Sequence, residues 1–398
     1  MLQRFILDNV SRADDALFSN MLNYSVKDSV ILAKKNPFSY TQNVLLVKAS
    51  NILTLKNSLW KSYILTDDVE LTVANLDQGS TFQVGKDYYV YLVDDGNTNG
   101  KFLISLNSTF PQGYTAENTR KIGGFHYGHI RAVSSDWVPV DPSGVKYGTG
   151  SNGWQKNVTV GIVPNSVWDL NNRPKCAPEG MVKVGNLWLD IYIASAEEAI
   201  AVEGDATLGA VTTGKLQSKY GQIPVTGTEK LTWYSFQELA ARVGKRLPSY
   251  GEWIGAAFGN PGGQDAADDY GWTKTANTAR ARTGCRVDNT TGEYSAGAGI
   301  KPYAISAYNL VDCVGNVWEW LDEFSYRQDG NAAGWTWRNV LGADKGQAHL
   351  YNDVGLVALL AGGRWNDGVS CGSRAVDAAD YPWYSYSSHG GRLVCDSL

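Results

Sequence analysis

Glycine interrupts this chain 43 times in 398 residues, with 14 Trp and 22 Tyr spread among those breaks. Long helices do not survive such interruption, since a glycine in a helix interior costs about 1 kcal/mol relative to alanine. Val and Thr in short runs, large rings and structured turns point instead to many short strands. The expected fold class is β-rich α+β. A chain of this length, 43% hydrophobic and 19% charged, can bury a large core in two or three domains.

A formal charge of −5, with no cluster of Lys and Arg, gives no field to draw nucleic acid or an anionic membrane, so neither is an expected partner. The N-terminal "MLQRFILDNVSRADD" lacks the apolar region of a signal peptide, and no apolar run is long enough to span a bilayer. Synthesis and folding in a cytoplasm, without membrane insertion, is the expectation. Cys176, Cys285, Cys313, Cys371 and Cys395 include no C-x-x-C pair and read as free thiols.

A short helix near Ala16 to Leu22, then a strand, is expected first. The stretches "LWKSYILTDDVELTVANL" and "KDYYVYLVDDGNTNGKFLISLNST" alternate β-branched and aromatic residues around Asp-Asp-Gly and Asn-Gly turns. They define a small β domain over residues 1–137, for attachment or oligomerisation. Residues 138–165, opening "VPVDPSGVKYGTGSNGW", read as a linker. Gly148, Gly150 and Gly153 there have G-x-G-x-x-G spacing, but a Pro-rich turn precedes them and a strand follows, which is the wrong context for a phosphate loop. In the third part, 166–398, two helices are expected around "KRLP". Ser235 with Glu238 forms a capping box before Phe236, Leu239, Ala240 and Val243, stopped at Gly244; Ser249 with Glu252 repeats it, stopped at Gly259.

Near the end, "YPWYSYSSHGG" (Tyr381 to Gly391) gathers five rings around Pro382 and two glycines. It cannot run as a helix or an unbroken central strand. Tyr gives large amphipathic contact area with few rotatable bonds, and intervening Ser adapts its hydrogen bonds, which suits a contact surface. The competing reading places Tyr384 and Tyr386, two apart, on the buried face of a terminal strand.

In this order, "GKRLPSYGEW", "AYNLVDCVGNVWEW", "AGGRWNDG", "GSRAV" and "GGRLVCD" each resemble motifs of the formylglycine-generating-enzyme type of C-type lectin fold, over roughly Gly180 to Leu398. The tail is most similar to the variable proteins of diversity-generating retroelements, including tropism determinants carried at phage tail-fibre tips. The "KDYYVYLVDDG" to "RKIGGFHYGHI" segment more loosely resembles tail-fibre-associated domains. The resemblance implies a variable region at about 361–395, written by adenine-directed replacement that turns AAC codons into NNC codons. Such codons cannot specify Lys, Glu, Gln, Met or Trp, and Ala361 to Leu398 contains no Lys, Glu, Gln or Met. The implied variable, ligand-binding positions are Arg364, Asp367, Val369, Cys371, Asp377, Asp380, Tyr381, Tyr384, Tyr386, Ser388 and His389. Tyr381, Tyr384 and Tyr386 would form the central cluster, and Asp367, Asp377 and Asp380 its polar rim. Trp318, Trp320, Trp365, Arg374, Trp383 and Arg392 would be fixed scaffold, and Trp383, if buried, would lose several kcal/mol as alanine.

The same resemblance implies a non-enzymatic protein without cofactor or metal. Its partners would be a host-surface receptor and a phage tail-fibre protein, as a homo-oligomer with a trimer favoured. It would sit at the virion's fibre tip after assembly in the host cytoplasm. The alternatives are a formylglycine-generating-enzyme-like oxidoreductase and a cellular surface adhesin. The enzyme needs two closely spaced cysteines, and Cys371 has none within five residues. His126 and His129, three apart on a strand, face opposite sides and do not chelate one metal. Asn316 and Glu319 resemble calcium-holding positions of some members, but local backbone bonding by Asn316 and a loop locked by Trp318 and Trp320 is the favoured reading.

Overall fold

The computed structural model describes residues 38–47, 52–55, 61–65, 67–94, 100–141, 143–146, 157–203, 211–260, 280–284, 304–326, 334–339 and 345–398. The helix expected near Ala16 to Leu22, the Gly148, Gly150 and Gly153 spacing, and Cys285 lie outside these residues. The chain forms two compact units: Met1–Tyr127 with Ser166–Arg173 and Leu398, and Gly128–Asn165 with Pro174–Ser397. The segment expected as a linker, 138–165, therefore falls inside the second unit and carries a strand of its own, Val158–Ile162, while Ser166–Arg173, expected to open the C-terminal domain, falls in the first.

In the first unit, β1 (Phe38–Tyr40), β2 (Leu45–Val47) and, after the hairpin of β3 (Ile52–Leu55) and β4 (Lys61–Ile64), β5 (Val69–Leu71) give an antiparallel sheet ordered β1-β2-β5. A second sheet contains β6 (Lys86–Val93), β7 (Lys101–Ser105), β8 (Thr119–Arg131) and β10 (Trp168–Asp169); β8 runs on past Tyr127 into the second unit, to which β9 (Val158–Ile162), also paired with β8, belongs. Tyr88 through Val93 are all buried, so β6 is covered on both faces. Gly123 and Gly124 explain how the cover closes: a Cβ on Gly123 would lie 2.3 Å from the Trp168 carbonyl oxygen and 2.4 Å from the Phe38 ring. His126 is buried here with Nδ1 2.9 Å from Asp87.

The second unit holds the sheet β11-β12-β21 from Met181–Val184, Leu187–Asp190 and Val394–Asp396, the hairpin β13 (Ala194–Glu203) with β14 (Val211–Ser218), and two helices. Helix α1 (Trp233–Arg242) is capped three residues before the expected position: Thr232 is the N-cap, its hydroxyl accepting from the Ser235 amide. Gly244 ends it with φ +70°. Helix α2 (Tyr250–Ala256) has the expected box, Ser249 and Glu252 each capping the other's backbone. The largest sheet runs β16-β17-β19-β18-β15-β20, from Trp335–Arg338, Ala348–Tyr351, Val376–Asp377, Leu356–Ala361, Trp318–Tyr326 and His389–Gly391.

One buried hub ties the helices to the chain's end. Arg392 is fully buried; its Nε and Nη2 donate to the two Glu319 oxygens at 3.0 and 2.9 Å. Its remaining protons reach the carbonyls of Asp190, Ile191 and Val311 at 2.6–2.9 Å. Trp253 Nε1 of α2 also donates to Glu319 at 2.8 Å. Glu319 is thus engaged by Arg392 and Trp253, while the Asn316 amide bridges the backbone N–H and C=O of Ala281, a segment 35 residues away and not the local backbone expected.

Candidate functional site: an aromatic cleft

The terminal rings sit on backbone pinned by its neighbours. The Trp233 amide at the start of α1 donates to the Pro382 carbonyl (3.1 Å), Gly227 donates to Tyr386 (2.9 Å), and Trp318 donates to Ser388 (2.8 Å). Strand β20 then runs parallel to β15, with Trp318 opposite His389 and Trp320 opposite Gly391. On this frame the rings hold one another. Trp383 stacks on Tyr381 (4.7 Å), which meets Tyr384 edge-on (5.2 Å); Tyr384 meets Tyr386 (5.2 Å), and Tyr386 meets His389 (5.0 Å). His389 in turn stands edge-on to Trp320 at 5.1 Å. Tyr386 is 45% exposed and Tyr381 and Tyr384 are half-buried, so the three tyrosines are not core residues.

Beside this row opens a cleft of about 430 Å³. Arg364, Asp367, Asp377, Asp380, Tyr386, Ser388 and His389 line it from the C-terminal segment, with Trp365 and Ser387. Its other wall is Trp318, Trp335, Trp337 and His349. Trp335 and Trp337, two apart on β16, share a face. Both rings lie against His349, at 5.1 and 4.4 Å. Trp335, Trp337 and His349 were not among the expected site residues. The alternation W-T-W followed by a cross-strand His was the available signal.

Several expected positions stand elsewhere than anticipated. Asp377 and Asp380 are not a solvated rim: they are 2% and 6% exposed, because each carboxylate packs against an imidazole, Asp377 with His349 Nδ1 (2.6 Å) and Asp380 with His389 Nε2 (3.2 Å). Ser388 and His389 are likewise buried along the cleft. Asp367 accepts from the Arg364 backbone and Nε at 3.0 and 3.2 Å. Val369 is exposed on the 3-10 turn Gly368–Ser370 and does not line the cleft. Cys371 is fully buried against Val314, where burial and then the Asp367 charge push its thiol well above the ordinary range. A buried thiol held protonated is a poor nucleophile. Among the scaffold positions, Trp318, Trp320, Trp365 and Arg392 are buried, whereas Arg374 and Trp383 are exposed. Trp383 lies on Tyr381 rather than in the core, so Trp383→Ala is expected to cost only about 1 kcal/mol.

The His349–Asp377 pair makes the site pH-sensitive. Burial opposes the His349 charge, but hydrogen bonding and attraction from Asp377 override it and hold the imidazole above its ordinary 6.5. Asp377 is itself raised, burial outweighing His349. A raised folded-state value stabilises fully below the unfolded value, and that contribution is lost as pH rises through the folded one. His349→Asn is therefore expected to lower the melting temperature more in buffer below pH 6.5 than in alkaline buffer. Equal losses at both would exclude the ionic pairing.

Residues 158–397 match the sulfatase-modifying factor enzyme 1-like domain, more than half of the chain. The chain belongs to that family. Residues 39–169 match the Mtd second domain. The tail fiber receptor-binding protein of Bordetella phage BPP-1 is 28% identical over 389 residues, covering 94% of this chain and 86% of that protein. The formylglycine-generating enzyme of Thermomonospora curvata is 36% identical over 102 residues, 24% of this chain and 32% of the enzyme. Among solved structures, the M1 and I1 variants of the major tropism determinant each superpose with a TM-score of 0.62, at 25% and 26% identity, covering 92% of this chain and 84% of theirs. The fold is a β-rich α+β one, with a C-terminal C-type lectin domain of the formylglycine-generating-enzyme type after an N-terminal β domain.

Proposed function

We propose that this chain is a phage receptor-binding protein whose C-type lectin domain displays a surface diversified by a retroelement. The observation that carries the reading is the gathering of seven of the eleven candidate positions, Arg364, Asp367, Asp377, Asp380, Tyr386, Ser388 and His389, around one cleft flanked by the tyrosine row. Likeness along 94% of the chain to a tail fiber receptor-binding protein supports it. Buried members of the set, such as Asp380 and His389, would alter the cleft's charge and shape when replaced, so diversification need not be confined to exposed side chains. Val369 would contribute at the margin, and Cys371 through the loop it anchors.

Its work is binding without turnover. The N-terminal unit attaches the chain to a tail-fibre protein as a homo-oligomer, a trimer, at the virion's fibre tip, after assembly in the host cytoplasm. Several weak sites on one particle act together through effective concentration, which makes a random repertoire useful. Sedimentation of the full chain as a monomer at micromolar concentration would remove the trimer. Sequencing the 3′ coding segment across a propagated population tests the diversification. Substitutions should fall at adenines of the candidate codons and spare those of Trp365 and Arg392; changes spread evenly over all four bases would overturn it.

A further inference from the structure

We propose that the cleft binds the ring of a neutral sugar directly, without a bridging metal ion, and that Trp335 and Trp337 form a constant stacking wall for it. The inference rests on the receptor-binding reading and specifies the ligand's chemistry. Three features select it. First, the two indoles are 49% and 37% exposed despite their size, on a strand outside the variable region, so they remain when that region changes. Second, every carboxylate of the cleft already faces a basic partner: Asp367 with Arg364, Asp377 with His349, and Asp380 with His389. A cationic or anionic guest would have to break one of these pairs, whereas a polyol with an apolar ring face would not. Third, the His389 imidazole is buried along the cleft, and its Nδ1 has no hydrogen-bond partner among the described residues. Such a nitrogen is expensive to leave unmet, and a hydroxyl, which both donates and accepts, can serve either tautomer. The Ser387 and Ser388 hydroxyls beside it widen the choice of sugar epimer. The cleft's volume suits one pyranose rather than a folded peptide segment.

The test is titration of the purified full chain with the methyl pyranosides of glucose, galactose, mannose and N-acetylglucosamine. Indole fluorescence and saturation-transfer NMR follow binding, with and without EDTA. N-acetylarginine amide and phosphoserine serve as charged probes. At least one glycoside should bind saturably in the millimolar range appropriate to so small a ligand, unchanged by EDTA. Trp337→Ala or the more exposed Trp335→Ala should weaken it about tenfold or more, and Ile223→Ala, at an exposed position that does not line the cleft, should not. Binding of the arginine or phosphoserine probe in preference to every glycoside, loss of glycoside binding in EDTA, or no glycoside binding at all would each overturn the sugar assignment. If Trp337→Ala also abolishes inhibition of particle adsorption while no glycoside binds, the sugar falls and the receptor reading stands.

Discussion

Replacing Arg392 with methionine is expected to destabilise the lectin domain by about 3–5 kcal/mol, the usual cost of removing one partner of a buried ion pair. Methionine fills much of the volume, so the loss is electrostatic. Among the described residues, Glu319, 1% exposed, keeps only the Trp253 indole as a donor; the carbonyls of Asp190 and Val311 lose their Arg392 proton, and that of Ile191 keeps the Val311 N–H alone. Removing the stranded charge as well, in Arg392→Met with Glu319→Leu, should recover part of the loss. It should not restore the parent, because the Asp190 and Val311 carbonyls and the Trp253 N–H lose their partners. Denaturant titrations of the parent, the single and the double variant give the comparison. A single variant within about 1 kcal/mol of the parent would mean that Arg392 is not the hub of the domain.

The second large effect is on binding and should barely touch stability. Tyr384 and Tyr386 contact each other, Tyr381 and His389 through ring edges, and Tyr386 is 45% exposed. Changing both to serine, a residue that NNC codons can specify, should shift unfolding by about 1 kcal/mol or less. Buried at an interface, each tyrosine ring is the kind of anchor whose loss costs about 2 kcal/mol, or roughly thirtyfold, and the pair should reduce receptor affinity by about a thousandfold if the two act independently. A large melting shift from the double variant would return the tyrosines to the core.

Local devices were legible in the sequence, while the burial of the polar site residues was not. The Ser249 and Glu252 capping box is present because both partners lie within one helical turn. The same spacing at Ser235 and Glu238 misled by three residues: Thr232 caps α1, and the Ser235 hydroxyl turns back to meet it at 3.3 Å. Asp377 and Asp380 looked like a solvated rim because carboxylates usually are. Their imidazole partners come from β17 and β20, pairings that no local pattern encodes. The tyrosine row was visible as a cluster, but its neighbouring wall, Trp335 and Trp337, reaches the cleft only through the order β16-β17-β19.

The most direct measurement of the central claim is competition for adsorption. Particles carrying this protein are mixed with host cells and increasing amounts of the soluble full chain, either parent or Tyr384→Ser with Tyr386→Ser, after both have been matched for melting temperature and oligomeric state. If the cleft and its tyrosine row form the receptor-binding surface, the parent suppresses adsorption in a saturable way and the double variant needs at least a hundredfold more protein. Equal suppression by both would place the receptor contact elsewhere on the molecule and contradict the account.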